Sequence, residues 1–159
     1  PLLEMASNSS IFVTKEVPQI NPMPENSVLA TLYSPIIKCC YPLNFLPELG
    51  REKGQYRWMT GHADLTRRFG EAMYFLRYIQ SHTIDSPVQE LLRKPRGTME
   101  PYDGITEVWW NQVDLALLMN TPESTGLEAF ALLGPDEYRF MDISRSSVWF
   151  SKEQVFVER

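Results

Sequence analysis

The chain has 159 residues, of which 43% are apolar, and a formal net charge of −5 at pH 7. This length and apolar content suffice for one substantial core, so we expect a single domain over residues 1–159, cut from a larger polypeptide because the chain starts at Pro1. No apolar run approaches the roughly 18 residues of a membrane span, and we expect neither a membrane anchor nor a signal peptide. The adjacent Cys39 and Cys40 suit a reducing compartment better than a disulfide framework.

Positive charge is concentrated in the middle of the chain. Residues 51–96 contain nine lysine and arginine residues against five acidic residues, a local net charge of +4. Such a basic region can bind a phosphate backbone or an acidic protein, and it can equally be a solvated helix face.

We expect a strand at residues 11–14, and then a helix that begins near residue 25 and ends before Pro42. The β-branched and aromatic run Ile-Phe-Val-Thr predicts the strand, and the following prolines, Pro18 among them, exclude regular structure after it. An apolar face predicts the helix, which Pro35 would kink. Residues 42–54 then have the proline, glycine and charge content of an exposed loop.

The clearest pattern in the sequence lies at residues 64–80. Its apolar residues recur at helical spacing, at Leu65, Phe69, Met73 and Leu76. We therefore expect a core helix over about residues 61–80, against which the other elements pack. A shorter helix should follow, because Ser86 before Pro87 is typical of a helix N-terminus.

After residue 104 the sequence consists mainly of strand-like runs. These runs are residues 105–110, 113–119, 127–133, 138–143, 148–150 and 155–157, with turns at 134–137 and 144–147. The prediction is an α+β fold: an N-terminal helical cluster around the central helix, with a helical lobe over about residues 24–95. A C-terminal antiparallel β meander, the strand-rich lobe over about residues 104–158, would wrap against it.

Few residues suggest catalysis or metal binding. His62 and His82 lie at opposite ends of the expected central helix, roughly 30 Å apart, which excludes a shared metal and suggests cap or surface roles. The sequence has no paired-cysteine or paired-histidine spacing and no phosphate-binding glycine loop, so we expect no metal, no cofactor and no catalytic residues.

Three alternatives remain open on the sequence alone. Asp136 and Glu153 could belong to a metal-dependent nuclease, although a Pro-Asp pair is more often a turn. Trp109 or Trp110 could stack on a nucleotide or a methylated cap, but neighbours on a strand face opposite sides, so at most one is free. A small-molecule cyclase or dehydratase with a cone-shaped α+β pocket would need a histidine, His62 or His82, close to an aspartate: Asp103, Asp114 or Asp142.

Four short motifs carry a family resemblance by their order and spacing. They are Pro-Glu-Asn-Ser-Val-Leu at 24–29, Gly-Gln-Tyr at 54–56, Asp-Ser-Pro-Val-Gln-Glu-Leu-Leu at 85–92, and Gly-Leu at 126–127 leading to Gly-Pro at 134–135. Together they resemble the C-terminal host-range domain of the second basic, cap-binding polymerase subunit of orthomyxoviruses, the influenza-type viruses. The net acidic charge marks a divergent member.

The resemblance implies a non-catalytic domain that supports viral RNA replication and transcription in the host nucleus, and that is carried in the virion. Its expected partners are other polymerase subunits, an acidic leucine-rich nuclear phosphoprotein and viral RNA, with no membrane contact. Host adaptation would involve Arg96 and Glu100. Binding would use a basic patch, defined as Arg51, Lys53, Gln55, Arg57, Arg67, Arg68, Arg93, Lys94 and Arg96.

Overall fold

The computed structural model describes residues 7–21, 28–122 and 124–156. Its centre is a five-stranded sheet in which all neighbouring strands are antiparallel, in the order β1-β3-β4-β2-β5. The strands are β1 (Thr14–Ile20), β2 (Ile36–Leu43), β3 (Arg77–Thr83), β4 (Gly104–Asn111) and β5 (Trp149–Ser151). The predicted α+β class is thus confirmed.

The described helices all lie between β2 and β5 in the chain. They are α1 (Gly50–Arg57), a π-helical turn (Trp58–His62), α2 (Ala63–Phe69), α3 (Pro87–Arg93), α4 (Gln112–Asn120) and α5 (Thr125–Glu137), with 3₁₀ turns at Lys94–Arg96 and Ile143–Arg145. Strands β2 and β3 are both antiparallel to β4, which lies between them, and α1 and α2 connect them. This is a split βαβ unit, so the predicted order of a helical lobe followed by a meander is not found in the described residues.

Alternating residues of β4 face opposite sides of the sheet. Val108 and Trp110 pack with residues of α4 and α5, whereas Trp109 packs with Ile79 and Ala30 on the other side. The prediction that the two tryptophans point apart is correct. Both indoles are nevertheless buried: Trp110 Nε1 donates to the Met73 carbonyl and Trp109 Nε1 to Glu153, so neither indole is exposed on the outer surface.

The predicted central helix over residues 61–80 is wrong in its second half. Helix α2 ends at Phe69, Tyr74 adopts a positive φ of 56°, and the chain returns as β3. The strand pairs with β1 and β4 on its two sides, and this pairing overrides the helical spacing of Met73 and Leu76.

The helix predicted from about residue 25 to before Pro42 is incorrect where the structure describes it, and the loop predicted at 42–54 is incorrect in part, since residues 44–49 are irregular or turns. Residues 22–27 lie outside the described part, residues 28–35 are not helical, and β2 begins after Pro35 with Ile36. The β-branched pair Ile36 and Ile37 suits a strand between two neighbours. Part of the expected loop is α1, in which Gly54 is buried against Phe45.

Two predicted strands, residues 113–119 and 127–133, are helices. Asn111 caps α4 by accepting from the Val113 amide, and Ser124 caps α5 by accepting from the Leu127 amide. Short apolar runs do not distinguish a buried strand from a helix, and only the caps favoured the helix. The expected turn at 134–137 is the last turn of α5.

Pro18 lies inside β1, although prolines were expected to exclude regular structure there. It is tolerated because β1 is an edge strand, and the register shifts between Pro18 and Ile20. The expected strand at 11–14 is displaced, since β1 begins at Thr14.

Several local predictions are confirmed. Ser86 accepts from the Val88 amide with Pro87 at the start of α3, and β4 and β5 coincide closely with residues 105–110 and 148–150. Residues 138–143 instead form turns and one bridge between Met141 and Phe45. Across the described residues, no helix has the length and apolar character to span a membrane.

Candidate active site

A cavity of about 270 Å³ lies between the sheet and the helices. Aromatic side chains form much of its wall: Trp58, Phe75, Tyr78, Trp110 and Phe130. Its polar groups come from His62 on the π-helical turn, Glu137 at the end of α5, and Tyr41 on β2. No lysine or arginine of the described residues lines it. A largely apolar cavity with a few convergent polar groups is the usual form of a small-molecule site.

His62 is held by a carboxylate behind it. Its Nδ1 lies 3.1 Å from Oδ2 of the buried Asp136, and Arg57 binds the other carboxylate oxygen of Asp136 through Nη2. Burial lowers the pKa of His62, and this outweighs the hydrogen bond and charge of Asp136, which raise it. The imidazole is therefore mostly neutral at pH 7, with its proton on Nδ1 and a lone pair on Nε2.

Glu137 is the second ionisable group in the cavity. Burial raises its pKa to about 7, and the negative charge of Asp136 adds to the effect. Its carboxyl has no hydrogen-bond or ion-pair partner within the described part of the chain. Near neutral pH a substantial fraction of Glu137 can therefore donate a proton.

Tyr41 supplies a third polar group. Burial raises the pKa of its phenol to about 12, with the charge of Glu137 as a further cause. The hydroxyl thus stays protonated at neutral pH and can donate a hydrogen bond to an oxygen in the cavity.

A buried hydrogen-bond chain supports the cavity wall from behind. Gln80 Nε2 donates to the Tyr78 hydroxyl and the Trp58 carbonyl, and Gln80 Oε1 lies 3.1 Å from His82 Nε2. The His82 ring stacks on Trp58 with centroids 4.6 Å apart, and burial lowers its pKa to about 4. Both histidines are buried, so their expected cap or surface roles are wrong.

The aspartates expected near a histidine lie elsewhere. Asp103 binds Arg51 and the Phe45 amide, Asp142 binds Arg145 and Ser144, and Asp114 lies in the first turn of α4. The aspartate that lies beside a histidine is Asp136, and none of these three does.

Asp136 was missed because Gly134 and Pro135 before it suggested a turn. The signal that could have corrected this is the Ser124 cap, which predicts a helix through residues 125–137 and places Leu133 and Glu137 on one face. The encounter of Asp136 with His62 is a long-range contact that no local pattern reveals.

The predicted basic patch is mostly bound in internal ion pairs. The pairs are Arg51 with Asp85 and Asp103, Arg57 with Asp136, Arg67 with Asp64, Arg93 with Glu90 and Glu100, and Lys94 with Glu90. Gln55 donates to the carbonyls of Thr83 and Asp103, and Arg96 to the carbonyl of Leu92. Arg68 lies over the Phe69 ring. The role of the basic patch in binding a partner stays a prediction.

The nuclease alternative finds no support. Asp136 pairs with His62 and Arg57, whereas Glu153 pairs with Lys38 on the far side of the sheet. Within the described ranges, no group of three or more histidine, cysteine, aspartate or glutamate side chains is arranged to hold a metal ion.

Fold and cavity together define a small α+β protein with a largely apolar pocket between its sheet and its helices, lined by a histidine and a glutamate. The family model of the EthD domain matches residues 46–144, which include His62, Asp136 and Glu137, and the chain belongs to this family. No curated protein matches the chain.

This membership overturns the viral assignment. The chain is not an orthomyxovirus polymerase domain, and the expected support of viral RNA replication and transcription is wrong. Localisation to the host nucleus and the virion followed from that assignment and is wrong with it. The short motifs misled because each is common alone, and the family match extends over 46–144 instead. The expected protein and RNA partners stay predictions.

Proposed function

We propose that the chain is an enzyme that performs acid–base elimination or cyclisation on a small, uncharged, largely apolar molecule carrying a carbonyl and a hydroxyl group. The observation that carries the proposal is the cavity in which His62, oriented by Asp136, and the unpaired carboxyl of Glu137 are both exposed to the same space. This proposal replaces the expectation of a non-catalytic domain.

The cavity supports the substrate class. Its volume of about 270 Å³ suits a molecule of two or three fused rings, and its aromatic walls favour a flat apolar body. A carboxylate substrate would lack a cationic partner among the described lining residues, and burying it unpaired would be costly.

The roles follow from protonation. His62 Nε2 removes a proton from the carbon next to the carbonyl, while Glu137 gives its proton to the departing hydroxyl, which leaves as water. The carbon–oxygen bond breaks as the carbon–carbon double bond forms, and no oxidant or reductant is needed. Tyr41 can donate a hydrogen bond to the carbonyl oxygen as negative charge develops there. Solvent then returns the proton from His62 to Glu137.

The test uses 3-hydroxy-1-tetralone, a bicyclic hydroxyketone that loses water and tautomerises to fluorescent 1-naphthol. We expect turnover by the wild type and a loss in kcat of about 100-fold to 10,000-fold in each of H62Q and E137Q. E128Q is the matched control, because Glu128 is an exposed carboxylate on the same helix.

Equal rates in the wild type and both variants, with folding verified by circular dichroism, contradict the proposal. So does an absence of turnover of this probe and of deuterium exchange next to the carbonyl of 1-tetralone, since the cavity accommodates both compounds.

A further inference from the structure

The π-helical turn decides which side chains of the helix face the same way. The Ala63 amide donates to the Trp58 carbonyl, a bond that spans five residues. In an α-helix, residues five apart point in directions that differ by about 140°. The wider turn brings the fifth residue back above the first, so Arg57 and His62 lie on one side of the helix.

Both side chains bind Asp136, each at its own oxygen. Arg57 Nη2 contacts Oδ1, and His62 Nδ1 lies 3.1 Å from Oδ2. Asp136 is 4% exposed, so its negative charge would be costly without a cation beside it. Arg139 lies farther off, with Nη1 3.9 Å from Oδ1, and its own side chain is mostly in solvent.

Gly61 leaves room for the Arg57 guanidinium. A Cβ at position 61 would stand 3.1 Å from Arg57 Nη1, closer than an ordinary van der Waals contact. Arg57 Nε is buried without a hydrogen-bond partner in the described part of the chain, so the contact with Asp136 is the main polar anchor of this side chain.

We infer that Arg57 is a positioning residue, which holds the Asp136 carboxylate in place so that Asp136 fixes the His62 ring with its proton on Nδ1. Arg57 does not line the cavity and acts through Asp136. The role in catalysis rests on the proposed function, but a titration of the free protein tests the inference without turnover.

Several other ionisable groups face His62 or its partner and must be counted in any titration. Cys39 and Tyr41 come from β2, Tyr78 from β3, and Glu137 from α5, all in the cavity wall, while Arg139 stands beside Asp136. Of these, Glu137 is the one whose pKa, about 7, lies within the range of the experiment.

The direction of the effect follows from the charges. The positive charge of Arg57 disfavours the imidazolium form, whereas the negative charge of Asp136 favours it. Without Arg57, the carboxylate attraction is uncompensated. We therefore expect R57Q to raise the pKa of His62 by about one pH unit.

The measurement is an NMR titration of the two imidazoles in the free protein, with H82Q to assign them. R67Q is the matched control, because Arg67 forms an exposed ion pair with Asp64 on the same helical run, and it should leave the His62 titration unchanged. R57K keeps the charge and should restore most of the wild-type value. The tautomer reports the part of the effect that passes through Asp136: the neutral His62 ring should carry its proton on Nδ1 in the wild type and should lose this preference in both R57Q and D136N.

The inference is overturned if R57Q leaves the His62 pKa within about 0.3 of the wild type, or if the neutral His62 ring of R57Q keeps its proton on Nδ1 as in the wild type. Should R57Q fail to fold, the inference can be tested on the wild-type protein by following the Arg57 side-chain signals. Its Arg57 Nη signals should be resolved individually and should move as His62 titrates, and signals that are averaged and insensitive to pH contradict the inference. A failure here leaves turnover by H62Q and E137Q as a separate question.

Discussion

At the scale of single residues, the candidate site contains two ionisable groups whose surroundings shift their pKa values in the directions that acid–base catalysis needs. His62 is mostly neutral at pH 7, and Glu137 keeps a proton to about pH 7. Pairs of titratable groups held in different protonation states are what acid–base catalysis needs.

The pH dependence of the reaction can be derived from these two groups. The proposed reaction requires neutral His62 and protonated Glu137, so kcat/KM should fall above about pH 7 as Glu137 ionises. The measurement is kcat/KM for 3-hydroxy-1-tetralone between about pH 5 and about pH 9. E137D should keep a descending limb at a shifted pH, and a profile that is flat across this range contradicts the role of Glu137 as the acid.

Glu137 should also make stability depend on pH. Its ordinary pKa is 4.5, and it is about 7 in the folded protein, so between these values the folded state binds the proton and the unfolded state does not. The free energy of unfolding should therefore fall as pH rises from 4.5 to 7, by at most about 3 kcal/mol, and stay level above that. Urea unfolding of the wild type and E137Q at both ends of this window measures the difference, which E137Q should remove.

His82 should make the free energy of unfolding depend on pH in the opposite direction. Burial lowers its pKa to about 4 from an ordinary 6.5, so below pH 6.5 the unfolded chain takes up a proton that the folded protein refuses. Stability should fall as pH drops through this window, again by at most about 3 kcal/mol. H82Q should reduce this acid sensitivity in the same unfolding measurements, and an unchanged slope contradicts the burial of a neutral ring.

At the scale of the elements, close packing of α1 on the chain after β2 fixes the start of the helix that carries His62. A Cβ on Gly54 would come within 2.2 Å of Phe45 Cγ, inside a buried cluster with Trp58 and Phe140. The glycine is required by this close approach and not by its backbone angles.

G54A should therefore destabilise the fold by about 2 kcal/mol, even though alanine is the better helix former. K53A is the control, because Lys53 is exposed on the same helix, and it should change stability by less than about 0.5 kcal/mol. Thermal unfolding of both variants gives the comparison. A G54A variant as stable as the wild type would mean that Phe45 moves aside freely.

Sequence patterns predict the elements whose signals are local. They fail where pairing with a distant segment of the chain decides between helix and strand. Ser86 and Pro87 identified α3, and the β-branched and aromatic run at 105–110 identified β4. The helix prediction is wrong from residue 77 onward because residues 77–83 form a strand through pairing with β1 and β4, both distant in sequence. The site could be predicted only in outline: a histidine near an aspartate in an α+β pocket, without Asp136 or Glu137.

At the scale of the whole molecule, α4 and α5 pack on one side of the sheet and leave the cavity as the space where they do not meet it completely. The reaction product should bind there in preference to other places. We expect 1-naphthol to quench the fluorescence of Trp58 and Trp110, which line the cavity, and to raise the melting temperature as binding to the folded state demands. Replacing Phe130 by Trp, which fills the cavity, should weaken both effects.

The π-helical turn amounts to one residue more than an α-helix would need between Arg57 and His62. Deleting Thr60 would remove that extra residue and let the segment become continuous α-helix, in which Arg57 and His62 would stand four residues apart and still lie on one side of the helix. Keeping every residue while imposing regular α-helical winding would instead turn the two side chains about 140° apart, so that they could no longer reach the same carboxylate. The extra residue and the wide turn therefore depend on each other, and the arrangement of the site tolerates the loss of both but not the loss of the turn alone.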